Sequence, residues 1–202
     1  FCKSASIFLF SIYFLFFPYS NYTIQSTFSR DFFRSHVKAA SLLIFWTQAY
    51  NKHMKNQNNA PMSEEEKHNL MKRLNSSSQY LQSNDMKVVD VGRGFARVEM
   101  IIDEHILNIH GFVHGGALFS LADTVAGSAS FATGRDSVTL NGSINYIKPG
   151  RGGKLIGVAT EISAGRTTGV YEVFIYNDEQ TLLARATFTM FFLDQDRHKK
   201  QK

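Results

Sequence analysis

The hydrophobic pattern changes character at about Met62, and an ordered series of elements is predicted downstream of it. Ser63-Glu64-Glu65-Glu66 has Ser and Glu at the spacing of a capping box, with Leu70, Met71 and Leu74 following. This predicts a helix that starts at Ser63 and either fades over residues 75–78 or continues to Leu81. Two strand-like runs, 86–91 and 95–102, are joined by Gly92-Arg93-Gly94, a hairpin signal. Residues 103–113 show no period. Over residues 117–132, Leu118, Leu121, Ala122, Val125 and Ala129 recur on one helical stripe. The other positions there are small (Ala117, Ala126, Gly127, Ser128, Ser130), so a neighbouring backbone can approach closely.

After Gly134 the period becomes two. Val138, Leu140, Ile144 and Tyr146 alternate with Thr139, Asn141, Ser143 and Asn145. Pro149-Gly150-Arg151-Gly152-Gly153 reads as a turn, 154–163 as a strand, 165–169 as a turn, 170–176 as a strand, 177–180 as a turn and 182–193 as a long strand. Short connections after the central helix predict antiparallel pairing throughout. The expected class is α+β, with the small-residue helix against one face of a six-stranded sheet, no internal repeat and no second folded domain.

Composition narrows the function. Of 202 residues, 44% are hydrophobic and 19% charged, which excludes a chain disordered throughout. The single cysteine, Cys2, excludes a disulfide scaffold and a cysteine-based zinc finger. The net charge of +5 resides in residues 1–61, where six Lys/Arg face one Asp; residues 62–202 hold sixteen of each sign. With four of those cations in the tail 197–202, the folded body is neutral to slightly acidic, and nucleic acid is not an expected partner. Residues 1–61 carry ten of the 18 Phe, an apolar run from Ala5 to Phe17 behind Lys3, a second apolar patch at 39–46 and an Asn-rich linker at 51–60. We read 1–61 as an N-terminal extension outside the native domain, with a membrane anchor or a transit peptide as alternatives. Residues 62–202 are read as the domain, with no membrane association and a cytoplasmic location.

Standard catalytic constellations are missing from the sequence. It has no G-x-S-x-G elbow and no phosphate-binding P-loop; Gly150-Arg151-Gly152-Gly153-Lys154 resembles the latter in composition alone. His105, His110 and His114 are spaced by five and four, but Gly111 interrupts the stretch, and they read as loop histidines with no metal expected. The informative segment runs from Asn108 to Asp123. His114-Gly115-Gly116 opens the central helix, where the first N–H groups lack internal partners and carry the positive end of the dipole. Glycine there would let a ligand oxygen reach the backbone and be polarised; alternatively the pair permits tight packing at the helix start. Asp123 lies on a helix that otherwise reads as buried, so it needs a partner. Nine residues at about 100° each set it roughly opposite His114 on that helix. Two chains with helices side by side would bring Asp123 of one to His114-Gly115 of the other.

Asn108, His114-Gly115-Gly116, Asp123 and the strand 139–146 ending in Lys148-Pro149-Gly150 together resemble the hot-dog fold acyl-CoA thioesterases, in the phenylacetate-catabolism (PaaI-like) branch. The resemblance covers residues 70–193. It implies a sheet wrapped round the central helix, homodimers with two shared sites, often paired as a dimer of dimers, and hydrolysis of an acyl-CoA without metal or cofactor, coenzyme A being part of the substrate. It also implies that the Gly115 N–H polarises the thioester carbonyl, that His114 and Asn108 position the reacting groups, and that Asp123 of the partner chain is general base or nucleophile. Thr139 falls where the family has a Ser or Thr that orients the attacking water, and Asn141, read on the same strand face, is the alternative. Gly116, Asn141, Lys148 and Arg166 are the expected substrate contacts. Lys148, Arg151, Lys154 and Arg166 occupy two turns that could meet the phosphates of coenzyme A or form a solvated rim.

The acyl group is read as aryl or medium-chain, with Phe112, Phe119 and Phe131 as candidate lining. Two other functions compete. A hydratase or dehydratase on the same fold would use His114 as an acid/base, and a non-catalytic acyl-CoA-binding protein would have no need of Asp123.

Overall fold

The computed structural model describes residues 62–193; the expectations for 1–61 and for the tail beyond 193 lie outside the described residues. Helix α1 spans Glu64–Ser77 and starts as predicted. The Ser63 Oγ accepts from Glu66 N at 3.2 Å, and Ser63 N donates to Glu66 Oε2 at 2.7 Å. That second bond, then the Ser63 hydroxyl, holds the Glu66 carboxyl below its usual range. Both predicted endings occur: α1 stops at Ser77, and Ser78 caps a further short helix, α2 (Gln79–Ser83), by accepting from Leu81 N. Asn75 ties α1 to the sheet. Its Nδ2 donates to Val88 O at 2.9 Å and its Oδ1 accepts from Val88 N at 2.8 Å, the pair of bonds another strand would make.

Strands β1 (Met86–Gly92) and β2 (Phe95–Ile101) form the predicted hairpin across Arg93-Gly94, with Gly94 at φ 67°, a conformation glycine adopts freely. A single 3₁₀ turn, Glu104–Ile106, leads to helix α3, Gly115–Phe131. Strands β3 (Ser137–Tyr146), β4 (Lys154–Ala164), β5 (Thr168–Asn177) and β6 (Leu182–Phe192) complete an antiparallel sheet in the order β1-β2-β4-β5-β6-β3. All six strands contact α3, so the sheet curls round the helix as the resemblance implies. Leu118, Leu121, Ala122, Val125 and Ala129, the predicted stripe, are buried against inward-facing Val98, Ala159, Val173 and Ala186. A Cβ on Gly157 of β4 would lie 3.1 Å from Leu121 Cγ, the close approach the trimmed helix allows. Among the described residues no helix is long and apolar enough to cross a membrane.

The strand order corrects one expectation. β3 does not pair with β4 across residues 147–153; it pairs with β6 at the far edge. Crossing three strand spacings takes about 14 Å, well within the reach of seven residues at about 3.3 Å each. The crossing backbone finds partners on the way: Ile147 N and Lys148 N donate to Leu183 O, Gly150 O accepts from Val113 N, and Gly153 O accepts from Ile102 N. Short connections gave the right directions for all these strands and the right neighbours for β4–β5 and β5–β6, but the wrong neighbour for β3.

Candidate active site

Two groups of side chains converge on α3, one at its start and one at its middle. At the start, His114 is the N-cap, and its Nδ1 accepts from Gly116 N at 2.9 Å. In the neutral ring the proton then sits on Nε2. The next free donor is the Gly115 N–H, to which no described residue is hydrogen-bonded. The Tyr146 hydroxyl donates to Gly115 O at 3.0 Å, and a Cβ on Gly115 would lie 3.3 Å from the Tyr146 ring. Tyr146 thus fixes the first peptide of α3 from the end of β3 and packs closely against Gly115.

Asn108 prepares this turn. Its Oδ1 accepts from His110 N at 2.9 Å and Phe112 N at 3.2 Å, and its own N donates to Phe112 O at 2.7 Å. Leu107 and Val113 bridge across the loop, and His114 N donates to Ile106 O. The visible work of Asn108 is to shape the loop that delivers His114. His105 and His110 are exposed in this region, and among the described residues no three His, Cys, Asp or Glu side chains converge as metal donors.

Near the middle of α3, Asp123 is half-buried and has a partner: Thr139 Oγ1 donates to its Oδ1 at 2.6 Å. The need for a partner was legible; which residue supplies it depended on a β-bulge. Thr139 pairs with Met190 but Asn141 pairs with Thr189, so Leu140 is an extra residue in β3. Met190, Phe188, Ala186 and Ala184 face the core from β6. Their partners Thr139, Gly142, Ile144 and Tyr146 therefore face α3, while Asn141, Ser143 and Asn145 face outward. This corrects the reading of Asn141: it lies on the opposite face from Thr139 and cannot take its place beside Asp123. Gly142 was the overlooked signal, since glycine inside a strand often marks a bulge. A Cβ there would fall 2.4 Å from Phe188 Cε1, in a ring that packs on Phe119 at 5.4 Å between centroids.

The basic residues do not form one cluster. Residues 147–153 pack beside the loop before α3, and the Arg151 guanidinium stacks on Phe112 at 4.2 Å. Lys154 is paired with Glu99 at 2.9 Å. Lys148 and Arg166 form no ion pair with any described residue, but they lie beyond opposite ends of β4, about 30 Å apart at strand rise. Within one protomer they cannot be neighbours. Gly115 and Asp123 are likewise separated, by eight residues or about 12 Å along α3.

A helix N-terminus with a free N–H, and a half-buried carboxylate holding a hydroxyl, can polarise a carbonyl and activate water. Residues 110–184 match the thioesterase superfamily profile. Over 98 residues, the chain is 35% identical to the acyl-coenzyme A thioesterase PaaI of Escherichia coli, covering 48% of this chain and 70% of that protein. The chain belongs to the thioesterase superfamily. The structure of Escherichia coli PaaI, from the phenylacetic acid degradation operon, superposes on this thioesterase with a TM-score of 0.59 at 28% identity, covering 63% of this chain and 96% of PaaI. A Streptococcus pneumoniae thioesterase solved with coenzyme A gives a TM-score of 0.56 at 34% identity, covering 62% and 98%. That pneumococcal protein has also been crystallised with an Asp and, separately, a Thr replaced by Ala, at positions sixteen apart. The hot-dog architecture and the PaaI-like affiliation that the motifs implied are both present.

Proposed function

We propose that this thioesterase hydrolyses an aryl- or medium-chain acyl-CoA to free acid and coenzyme A, in sites shared between two copies of the chain. The observation that carries the reading is the Asp123–Thr139 pair, 12 Å along α3 from the free Gly115 N–H. One thioester carbonyl cannot span both within a protomer. Antiparallel helices that set Asp123 against Gly115 of the partner subunit solve this, with a two-fold axis beside Phe119. The Gly115 N–H then donates to the carbonyl oxygen as negative charge develops on it. Asp123 attacks as nucleophile or takes a proton from water, and Thr139 holds Oδ1 while its own lone pairs remain open to that water. The thiolate of coenzyme A leaves readily, so no metal or cofactor is invoked.

The same antiparallel arrangement carries the Arg166 end of one protomer towards the Lys148 end of the other, which would let both meet one coenzyme A. Support comes from the pneumococcal relative, which holds coenzyme A and whose altered Asp and Thr have the sixteen-residue spacing of Asp123 and Thr139. The Nδ1 of His114, occupied by Gly116 N, fits a positioning role better than the acid/base role a hydratase would need. The test is a panel of aryl and alkyl acyl-CoAs assayed by thiol release. Asp123→Asn should lower kcat by at least a hundredfold; thiol release at the parental rate would overturn the mechanism.

A further inference from the structure

A concavity lies away from these groups. Between α1 and the C-terminal end of α3, a cavity of about 550 Å³ is floored by Leu70, Phe131 and Ala132 and reached by Arg73 and Arg93. It contains none of Gly115, Asp123 or Thr139. It sits at the end of α3 remote from Gly115, about 24 Å along the helix.

The arginines distinguish it from a packing defect. Arg93, in the turn between β1 and β2, has a buried Nε without a hydrogen-bond partner, and the side chain forms no ion pair with a described residue. Arg73 lies over the Phe131 ring at 4.8 Å and forms no ion pair with a described residue. Two carboxylates also line the space. Glu66 is held by Ser63 in the capping box and also feels the Arg93 charge, and Asp136 is exposed at the rim. At this end of α3 the carbonyls of Ser128, Ser130 and Phe131 already accept from Ala132, Thr133 and Gly134, which blunts the negative pole of the helix. Arg73 and Arg93 both line the space, and a guanidinium fork matches a carboxylate in shape and charge. The apolar floor and the volume fit an aryl or alkyl body attached to it.

We propose that this cavity binds a small organic monocarboxylate, with the acid on Arg93 and Arg73 and its apolar body on Leu70 and Phe131. The site does not depend on the reaction assigned to Asp123, since binding is read without turnover.

Isothermal titration of the full chain with 4-phenylbutyrate tests it. Saturable binding at one site per chain is expected, with the uncharged amide of the same acid at least tenfold weaker. Arg93→Gln should weaken the acid at least tenfold and Arg73→Gln severalfold, each with an unchanged circular dichroism spectrum; Arg73, on an exposed helix face, carries the test if Arg93→Gln does not fold. Saturating coenzyme A should leave the titration unchanged. Absence of binding, equal binding of acid and amide, indifference to both arginine variants, or displacement by coenzyme A would each overturn the proposal.

Discussion

If Asp123 serves the Gly115 N–H of a second chain, two inactive variants should restore each other. The 12 Å between them along α3 is twice the distance a carbonyl and an attacking oxygen can bridge with hydrogen bonds at each end. Asp123→Asn removes the base while an amide oxygen still accepts from Thr139. Gly115→Pro removes the N–H at a first-turn position where proline suits a helix, and the exposed Tyr146 ring must yield only a few tenths of an ångström. Each variant alone should retain at most about 1% of parental kcat. Co-refolded in equal amounts, random pairing makes about half the dimers mixed. Each mixed dimer has one site with both defects and one with neither, so the mixture should show about a quarter of parental thiol release. Native mass spectrometry must confirm the mixed species, and circular dichroism the fold of Gly115→Pro. Mixed dimers that stay at the level of the single variants would show that Asp123 and Gly115 act within one chain.

Thr139→Ala should lower kcat tenfold to a hundredfold, the worth of one hydrogen bond to a charged group, and Thr139→Ser should recover most of it in the same thiol assay. Gly142→Ala places a methyl 2.4 Å from Phe188, so it should cost about 2–3 kcal/mol and lower Tm by roughly 7–10 °C; Phe188→Leu added to it should return part of the loss. Burial raises the phenols of Tyr171 and Tyr176, so stability is full below pH 10 and should fall as the pH rises beyond it, where the unfolded chain ionises first. Tyr171→Phe should flatten that fall in urea midpoints between pH 9 and 11, while losing at neutral pH the 2.9 Å bond to buried Glu161, about 1–2 kcal/mol.

What the sequence made legible was local. The Ser63–Glu66 box, the Arg93-Gly94 hairpin and the stripe from Leu118 to Ala129 depend on residues close together in the chain, and all appear where predicted. The N-cap His114 and the Gly115 N–H were readable for the same reason. The place of β3 was not, because nothing near residues 147–153 encodes that β6 takes β3 on one side and β5 on the other. The bulge at Leu140 sets Thr139 and Gly142 on the face towards α3, and the ring that crowds position 142, Phe188, lies far along the chain. The separation of Lys148 from Arg166 followed from the length of β4 and was available to the eye. Tyr146 was read as one more alternating strand residue, and its bond to Gly115 needed the sheet to bend round α3.

The sheet ends differently at its two margins. At β1 the Asn75 amide imitates a neighbouring strand at Val88 and occupies the backbone there, so a further strand meets a helix already in the way. At β3, among the described residues, the outer margin pairs with nothing. A sheet with one stopped and one open margin can be extended in a single direction. When two identical copies meet open margin to open margin, both ends of the joined sheet are stopped, and growth terminates at two. In such a pair Asn75 on α1 would be what separates a closed dimer from an open-ended fibre, at the margin farthest from Thr139 and Tyr146.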